Sequence, residues 1–279
     1  MGGLIMQITN LIDNVSYIPE LKSEHGLSYY IETTKHKILF DTGQSSSFID
    51  NAKVLNIDLS QVDIVIISHG HYDHGGGLND FLKINHYAKV YVNQFAFHDY
   101  YSKNTDTLKY IGLDQNLSHH PQIVSIHSDT YVIDDSLILY SGINQLNLSP
   151  LGNSVLVEKR GIDIKQDTFQ HEQNLVIRED DNVALIAGCA HNGILNILQQ
   201  ITSRSNFKIS HVFGGFHLYN LTKDLYEDEE RILQLGNELL KFETIFYTGH
   251  CTGVRAFDYL KRLMKEKIEY NSVGTHRII

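Results

Sequence analysis

Two cysteines, Cys189 and Cys251, are all that this 279-residue chain carries, and they lie far apart in sequence. That excludes a disulfide framework and gives no sign of an oxidising compartment. Long apolar runs are missing too. None approaches the roughly 20 residues that span a bilayer. The N-terminus lacks a basic stretch followed by an apolar one, so neither a membrane span nor a secretory leader is read. Positive charge is scarce: Lys+Arg 23 stand against Asp+Glu 33, a net charge of −10. This argues against broad electrostatic attraction to nucleic acid, although it leaves room for a local basic patch. No short-motif repeat and no low-complexity tract is visible. The 42% hydrophobic content does supply a sizeable core, either one large domain or two small ones. The expectation is a soluble, cytoplasmic protein whose structured pattern begins at Met6, with Met1–Ile5 outside it.

Histidine is the residue present in a telling arrangement. The run Ser68-His69-Gly70-His71-Tyr72-Asp73-His74-Gly75-Gly76-Gly77 sets three imidazoles and a carboxylate within six positions. It follows the apolar, β-branched stretch Val62–Ile67, read as a buried strand, and precedes Leu78–Leu82, read as the start of a helix. The donors therefore lie on a strand-to-helix loop. One metal can take His69 and His71 while a neighbour takes Asp73 and His74, a two-metal arrangement. Gly70, Gly75, Gly76 and Gly77 are expected to bend the backbone through positive φ, which glycine adopts without steric cost.

Other stretches read more simply. Met6–Ile12 is a first strand, and Leu27, Tyr29 and Ile31 alternate along a half-buried one whose partner is Lys37–Phe40. Asp41 follows that partner, ahead of a helix from Phe48 to about Leu55. It is placed either to cap a turn or to orient a ligand histidine by accepting its other N–H. Residues 93–125 look long and irregular, a lid or pocket wall rich in aromatics, and Asn147–Thr168 looks like a second irregular excursion. Strands are read at Lys89–Val92, Thr130–Ile133, Leu137–Tyr140 and Val183–Ile186. Outer helices are expected at Lys223–Phe242 and Gly253–Ile268, with the acidic run Glu227–Glu230 on a solvated face near the start of the first.

His-x-His-x-Asp-His after a buried strand resembles the signature of metallo-β-lactamase-fold hydrolases, and the LFDTG run ending at Gly43 is a further mark of them. Glu24-His25-Gly26-Leu27-Ser28 and Asn51-Ala52-Lys53 are similar to one branch, that of the dihydropterin-ribofuranosyl-aminobenzene phosphate synthase and related metal-dependent hydrolases. The resemblance runs from about Met6 to the last strand. It implies a mixed α/β, four-layer αββα sandwich spanning residues 1–279 as a single domain. Glu24 and His25 are then expected to line the substrate mouth.

The resemblance also implies ligands in the second half. The third-histidine place of one metal falls at His171 or Glu172, depending on a one-residue shift. The place of the bridging aspartate is held by Cys189, which would favour softer, zinc-like binding. Cys189 is otherwise read as a small buried core residue. The Gly-Cys-x-His motif of the branch makes His191 a ligand, and His250 matches the family's last histidine, expected on the second metal with Asp73 and His74. His217, in a Gly-Gly-Phe-His-Leu motif, is expected to bind metal or substrate.

These readings together predict a binuclear metallohydrolase with two divalent ions, zinc first, with manganese, iron or magnesium as alternatives. Asp73 would orient the attacking water, and His217 or another metal-bound water would protonate the leaving group of a small, phosphorylated or pterin-like substrate. No membrane or nucleic-acid partner is expected, and homo-oligomerisation is left open. Three other readings are kept. A diiron oxidoreductase needs carboxylates at the third and bridging places, a nuclease needs a basic groove, and a metal-sensing module needs a broken ligand set.

Overall fold

The computed structural model describes residues 6–104, 107–221 and 223–279. The expectation about Met1–Ile5 therefore lies outside the described residues. Chain contacts divide the protein into two compact units. The first comprises residues up to Ser128, Val155–Gln173 and Ser272–Ile279, and the second comprises Asp129–Ser154 and Asn174–Asn271.

The first unit is built on a seven-stranded sheet in the order His276–Ile278, Gln7–Ile12, Ser28–Glu32, Lys37–Phe40, Ile64–Ile66, Lys89–Asn93 and Ile123–Ile126. The first four are antiparallel neighbours and the last four are parallel neighbours, with Phe40, Ile66 and Tyr91 in register. The two central strands Lys37–Phe40 and Ile64–Ile66 are fully apolar where they are buried, as double-sided burial requires. Phe48 and Ala52 of the helix Ser47–Val54, and Leu78, Phe81 and Leu82 of the helix Leu78–Ile84, pack with Leu39, Val65 and Val90. Each fully buried leucine or phenylalanine contributes about 1.5–3 kcal/mol relative to an exposed one. Asn51 is buried as a strap: its Nδ2 donates to the carbonyls of Leu11 and Lys22, and its Oδ1 accepts from the Lys22 amide.

Both stretches expected to be irregular contain strands of one four-stranded antiparallel sheet, Asp163–Gln166, Leu156–Arg160, Asp99–Lys103 and Leu108–Tyr110. Tyr101 lies opposite Val157 and Tyr110. Asp163–Gln166 follows Leu156–Arg160 through a two-residue turn at Gly161, but the partner that Leu156–Arg160 finds in Asp99–Lys103 is some 55 positions away, so no local signal marks that pairing.

The second unit has its own seven-stranded sheet, ordered Ile268–Tyr270, Ile245–Thr248, His211–Phe213, Asn182–Ile186, Asn174–Glu179, Leu137–Tyr140 and Thr130–Val132. The first four run parallel, with Ile186, Phe213 and Tyr247 in register, so the loops after them leave from one edge. Helices Ile194–Arg204, Glu229–Leu239 and Val254–Met264 bury Leu198, Ile201, Leu235 and Leu260 against it. Two helix boundaries differ from the sequence reading. Leu225 pairs in a two-stranded ribbon ahead of its helix, and Ile268 starts a strand. Glu227 also departs from the solvated face expected of it: it is buried, accepts from Arg231 Nε at 2.9 Å and takes the Leu151 amide. Among the described residues, no helix is long and apolar enough to cross a membrane.

Candidate metal centre

In the first unit, the strand Ile64–Ile66 ends in the histidine loop, which passes into the one-turn helix Tyr72–Gly75. His69, His71, Asp73 and His74 are all buried. The His69 ring centroid lies 4.6 Å from that of His71 and 4.1 Å from that of His74. Asp73 Oδ2 is 3.5 Å from His74 Nε2 and 3.3 Å from His25 Nε2.

Asp41, at the end of Lys37–Phe40 and at φ 59°, organises this loop. Its Oδ2 lies 2.6 Å from His74 Nδ1 and 2.7 Å from Ser68 Oγ, while Oδ1 accepts from the Ser68 amide at 2.7 Å. Ser68 Oγ in turn lies 2.8 Å from His69 Nδ1. A carboxylate behind a histidine fixes its tautomer and aims its other nitrogen, as behind metal-bound imidazoles. Burial first, then the neighbouring His74 and His71 rings, holds His69 well below its ordinary pKa. Burial and then His171 bring His71 down to about 3. Both rings are neutral at physiological pH, the state in which imidazole ligates metal.

The glycines work differently from expectation. None of Gly70, Gly75, Gly76 and Gly77 has positive φ. They are needed for space: a Cβ on Gly70 would collide with the Ala96 carbonyl, and one on Gly77 with the Thr42 carbonyl. Glu24 is spent on the neighbouring loop, where Oε1 accepts from the Gln44 and Ser45 amides at 3.0 and 3.1 Å and Oε2 from Ser45 Oγ at 2.5 Å.

Residues 167–173 approach the same loop. Gln173 is fully buried and ties itself to the strand ends, its Nε2 donating to the carbonyls of Ile67 and Tyr91 and its amide to that of Ser68. His171 Nδ1 accepts from the Gly70 amide at 2.9 Å, and its Nε2 lies 3.0 Å from Asp167 Oδ2. Asp167 Oδ1 takes the Phe169 amide at 2.7 Å, across a turn in which Phe169 sits at φ 53°. Burial works to raise the Asp167 carboxyl, but His171 and the Phe169 N–H outweigh it and hold the carboxyl below its ordinary value. His71, Asp167 and His171 each offer a ligand atom within 4.8 Å of the others. Asp167, Ser68 and Gln173 were not singled out by the sequence, and no local spacing points to them. Glu172 is buried, with its amide bonded to the Phe169 carbonyl, and lies outside that group.

In the second unit, the loops that follow three parallel strands carry Cys189 and His191, His217, and His250 and Cys251. Ala190, His217 and His250 adopt φ of 55°, 50° and 48°. The left-handed region costs a residue with a Cβ about 1–2 kcal/mol, and such strain gathers at functional sites. The His191 and His217 ring centroids are 4.2 Å apart. His191 Nδ1 lies 2.8 Å from Asn153 Oδ1, and Asn153 Nδ2 donates to the His191 carbonyl at 2.7 Å. Cys189, His217 and Cys251 offer ligand atoms within 4.8 Å of one another. The His217 amide donates to Cys251 Sγ at 3.3 Å. A Cβ on Gly215 would collide with that sulfur. The donor set of each unit is thus buried and rich in imidazole, and it suits a divalent metal ion.

Comparison with known proteins agrees with this chemistry. A sequence model of the metallo-β-lactamase superfamily matches residues 23–135. The 7,8-dihydropterin-6-methyl-4-(β-D-ribofuranosyl)-aminobenzene-5′-phosphate synthase of Methanocaldococcus jannaschii is 28% identical, over 94% of this chain and 92% of its own. Zn(2+)-bound PqqB from Methylobacterium extorquens, 10% identical at a TM-score of 0.57 over 97% of this chain and 99% of its own, shares the fold. The structure of Tm1679, described as a metal-dependent hydrolase of the β-lactamase superfamily, is 32% identical at a TM-score of 0.83 and covers 98% of this chain and 99% of that one. With that identity over nearly the whole length, and with the hydrolase type of metal chemistry it supports, this chain belongs to the metallo-β-lactamase superfamily.

Proposed function

We propose that the protein is a binuclear zinc hydrolase acting on a phosphoester or carbonyl-type bond of a small organic substrate. His69, His71, Asp73 and His74 in the first unit, and His191 and His250 in the second, are the ligands of this reading. The observation that carries it is the engagement of both flanking Nδ1 atoms, His74 by Asp41 and His69 by Ser68, which makes Nε2 the metal-facing nitrogen of each ring. Divalent ions bound there would polarise the scissile group and acidify a water molecule.

The chain's own residues divide the remaining work. Asp73 holds a water proton through the carboxylate that also faces His25 Nε2. His217 delivers a proton to the leaving group. Asp41 keeps the His74 ring from turning. The name of the 28%-identical relative directs the substrate class toward a phosphorylated, pterin-like molecule. It also favours a second reading, a synthase, in which an organic nucleophile takes the place of water at the same polarised centre.

The test is turnover of phosphomonoester, phosphodiester and lactone probes, and of a dihydropterin phosphate, by protein stripped with a chelator and then given zinc or manganese. Turnover lost on stripping and restored by metal is expected. Absence of turnover on every probe after restoration, or turnover that ignores the chelator, would overturn the reading. Restoration confined to condensation with an added amine would favour the synthase.

A further inference from the structure

We infer that Asp167, rather than His171, completes the ligand set of the ion held by His71, with His171 acting behind Asp167 as its positioning residue. The inference rests on the metal-binding reading above and names a ligand that the family resemblance does not.

His171 has both ring nitrogens in use. A neutral imidazole has one N–H and one lone pair. The Gly70 amide donates to Nδ1 at 2.9 Å, so the lone pair is there and the proton is on Nε2. That N–H points at Asp167 Oδ2, 3.0 Å away. Both ring nitrogens are engaged, and coordination through either would break one of two buried hydrogen bonds, each costing about 1–3 kcal/mol to leave unmade. The ring is also fixed from its face, with its centroid 4.1 Å from that of the buried Tyr100.

Asp167 has capacity to spare. An ionised carboxylate offers about four lone-pair positions. One on Oδ1 takes the Phe169 amide and one on Oδ2 takes His171. Oδ2 also faces His71 Nε2 at 3.9 Å. That is too long for a hydrogen bond. It is shorter than the sum of a Zn–N bond of about 2.0–2.1 Å and a Zn–O bond of about 2.0–2.2 Å, so one ion reaches both atoms. Asp167 is 4% exposed, which keeps water from competing for the position. A carboxylate at this place makes the site harder than an all-imidazole one, and it should accept manganese or iron more readily.

The test is a metal titration of the full chain against a chromophoric chelator, paired with zinc-edge X-ray absorption to count imidazole ligands. Asp167→Asn keeps size and shape but is a poor ligand. We expect it to weaken one ion by at least about 100-fold, while His171→Gln, which retains an N–H donor, weakens it by about 10-fold and leaves the imidazole count unchanged. Circular dichroism verifies that both variants are folded. Wild-type-like affinity in Asp167→Asn, or loss of one imidazole per chain in His171→Gln, would overturn the inference while leaving the metal-binding reading intact. A wild-type protein that binds no ion would overturn both.

Discussion

The histidine loop of the first unit and the strand-end histidines of the second reach similar chemistry by opposite routes. In the first, four donor residues occupy six consecutive positions, and Asp41 and Ser68 hold two of the rings through a short, fully buried hydrogen-bond chain. In the second, the donors come from three separate loops, aligned by parallel strand register, and Ala190, His217 and His250 are each held in the left-handed region. A contiguous motif needs little from the sheet beyond a starting point. A dispersed one depends on the sheet for its alignment and on local strain for its aim.

The largest effect that separates the two arrangements is loss of a first-unit ligand. His71→Ala should abolish chelator-sensitive turnover and remove bound metal, both measurable on one preparation. His217→Ala is expected to act on kcat alone, lowering it by about 10²–10⁴-fold at unchanged metal content, because it is proposed to move a proton. If metal is lost with His217, the second unit is as ligand-rich as the first, and the proton-donor role falls.

Supporting residues sharpen the contrast. Asp41→Asn keeps the side chain's size but, with one acceptor oxygen, cannot accept from both the Ser68 amide and His74, and it should weaken metal binding by about 10–100-fold in a chelator competition. Asn153→Ala removes a neutral partner of His191 and should cost about 1 kcal/mol in urea denaturation, with a smaller change in affinity. Equal affinity losses would mean that the two units organise their ligands alike.

Acid should act mainly on the first unit of the metal-free protein. His71 falls from an ordinary 6.5 to about 3 on folding, and His69 shifts the same way. Between those values the unfolded chain binds more protons than the folded one, so stability is full above about pH 6.5 and declines as pH falls toward 3. Urea midpoints of chelated protein across that range should show the decline, and a His69→Gln, His71→Gln double variant should flatten it. His211, also lowered by burial, gives the second unit a smaller dependence of the same sign. Gly215→Ala, which crowds Cys251 Sγ, should cost about 1–3 kcal/mol in stability with ligands still bound.

Legibility in the sequence followed the same division. The strand Ile64–Ile66 and the histidine loop were readable because an apolar run and a dense donor cluster are both local signals. The hairpin Ser28–Glu32 with Lys37–Phe40 was readable from alternation. The sheet joining Asp99–Lys103 to Leu156–Arg160 was not, since its pairing lives in long-range hydrogen bonds between polar strands. Asp167 was missed for a related reason: its partners Phe169 and His171 are near in sequence, but its meaning comes from His71, nearly a hundred positions earlier. The glycines around the histidine loop were recognised as necessary for the wrong reason, because the close approach of Ala96 and Thr42 is invisible before folding.

Metal content by plasma mass spectrometry, on protein purified without added metal and compared with His191→Ala and His250→Ala, tests the central claim most directly. About two divalent ions per chain are expected, with each variant losing about one, as a two-metal site requires. Less than about half an ion per chain in the wild type, unchanged after zinc is supplied, would contradict it.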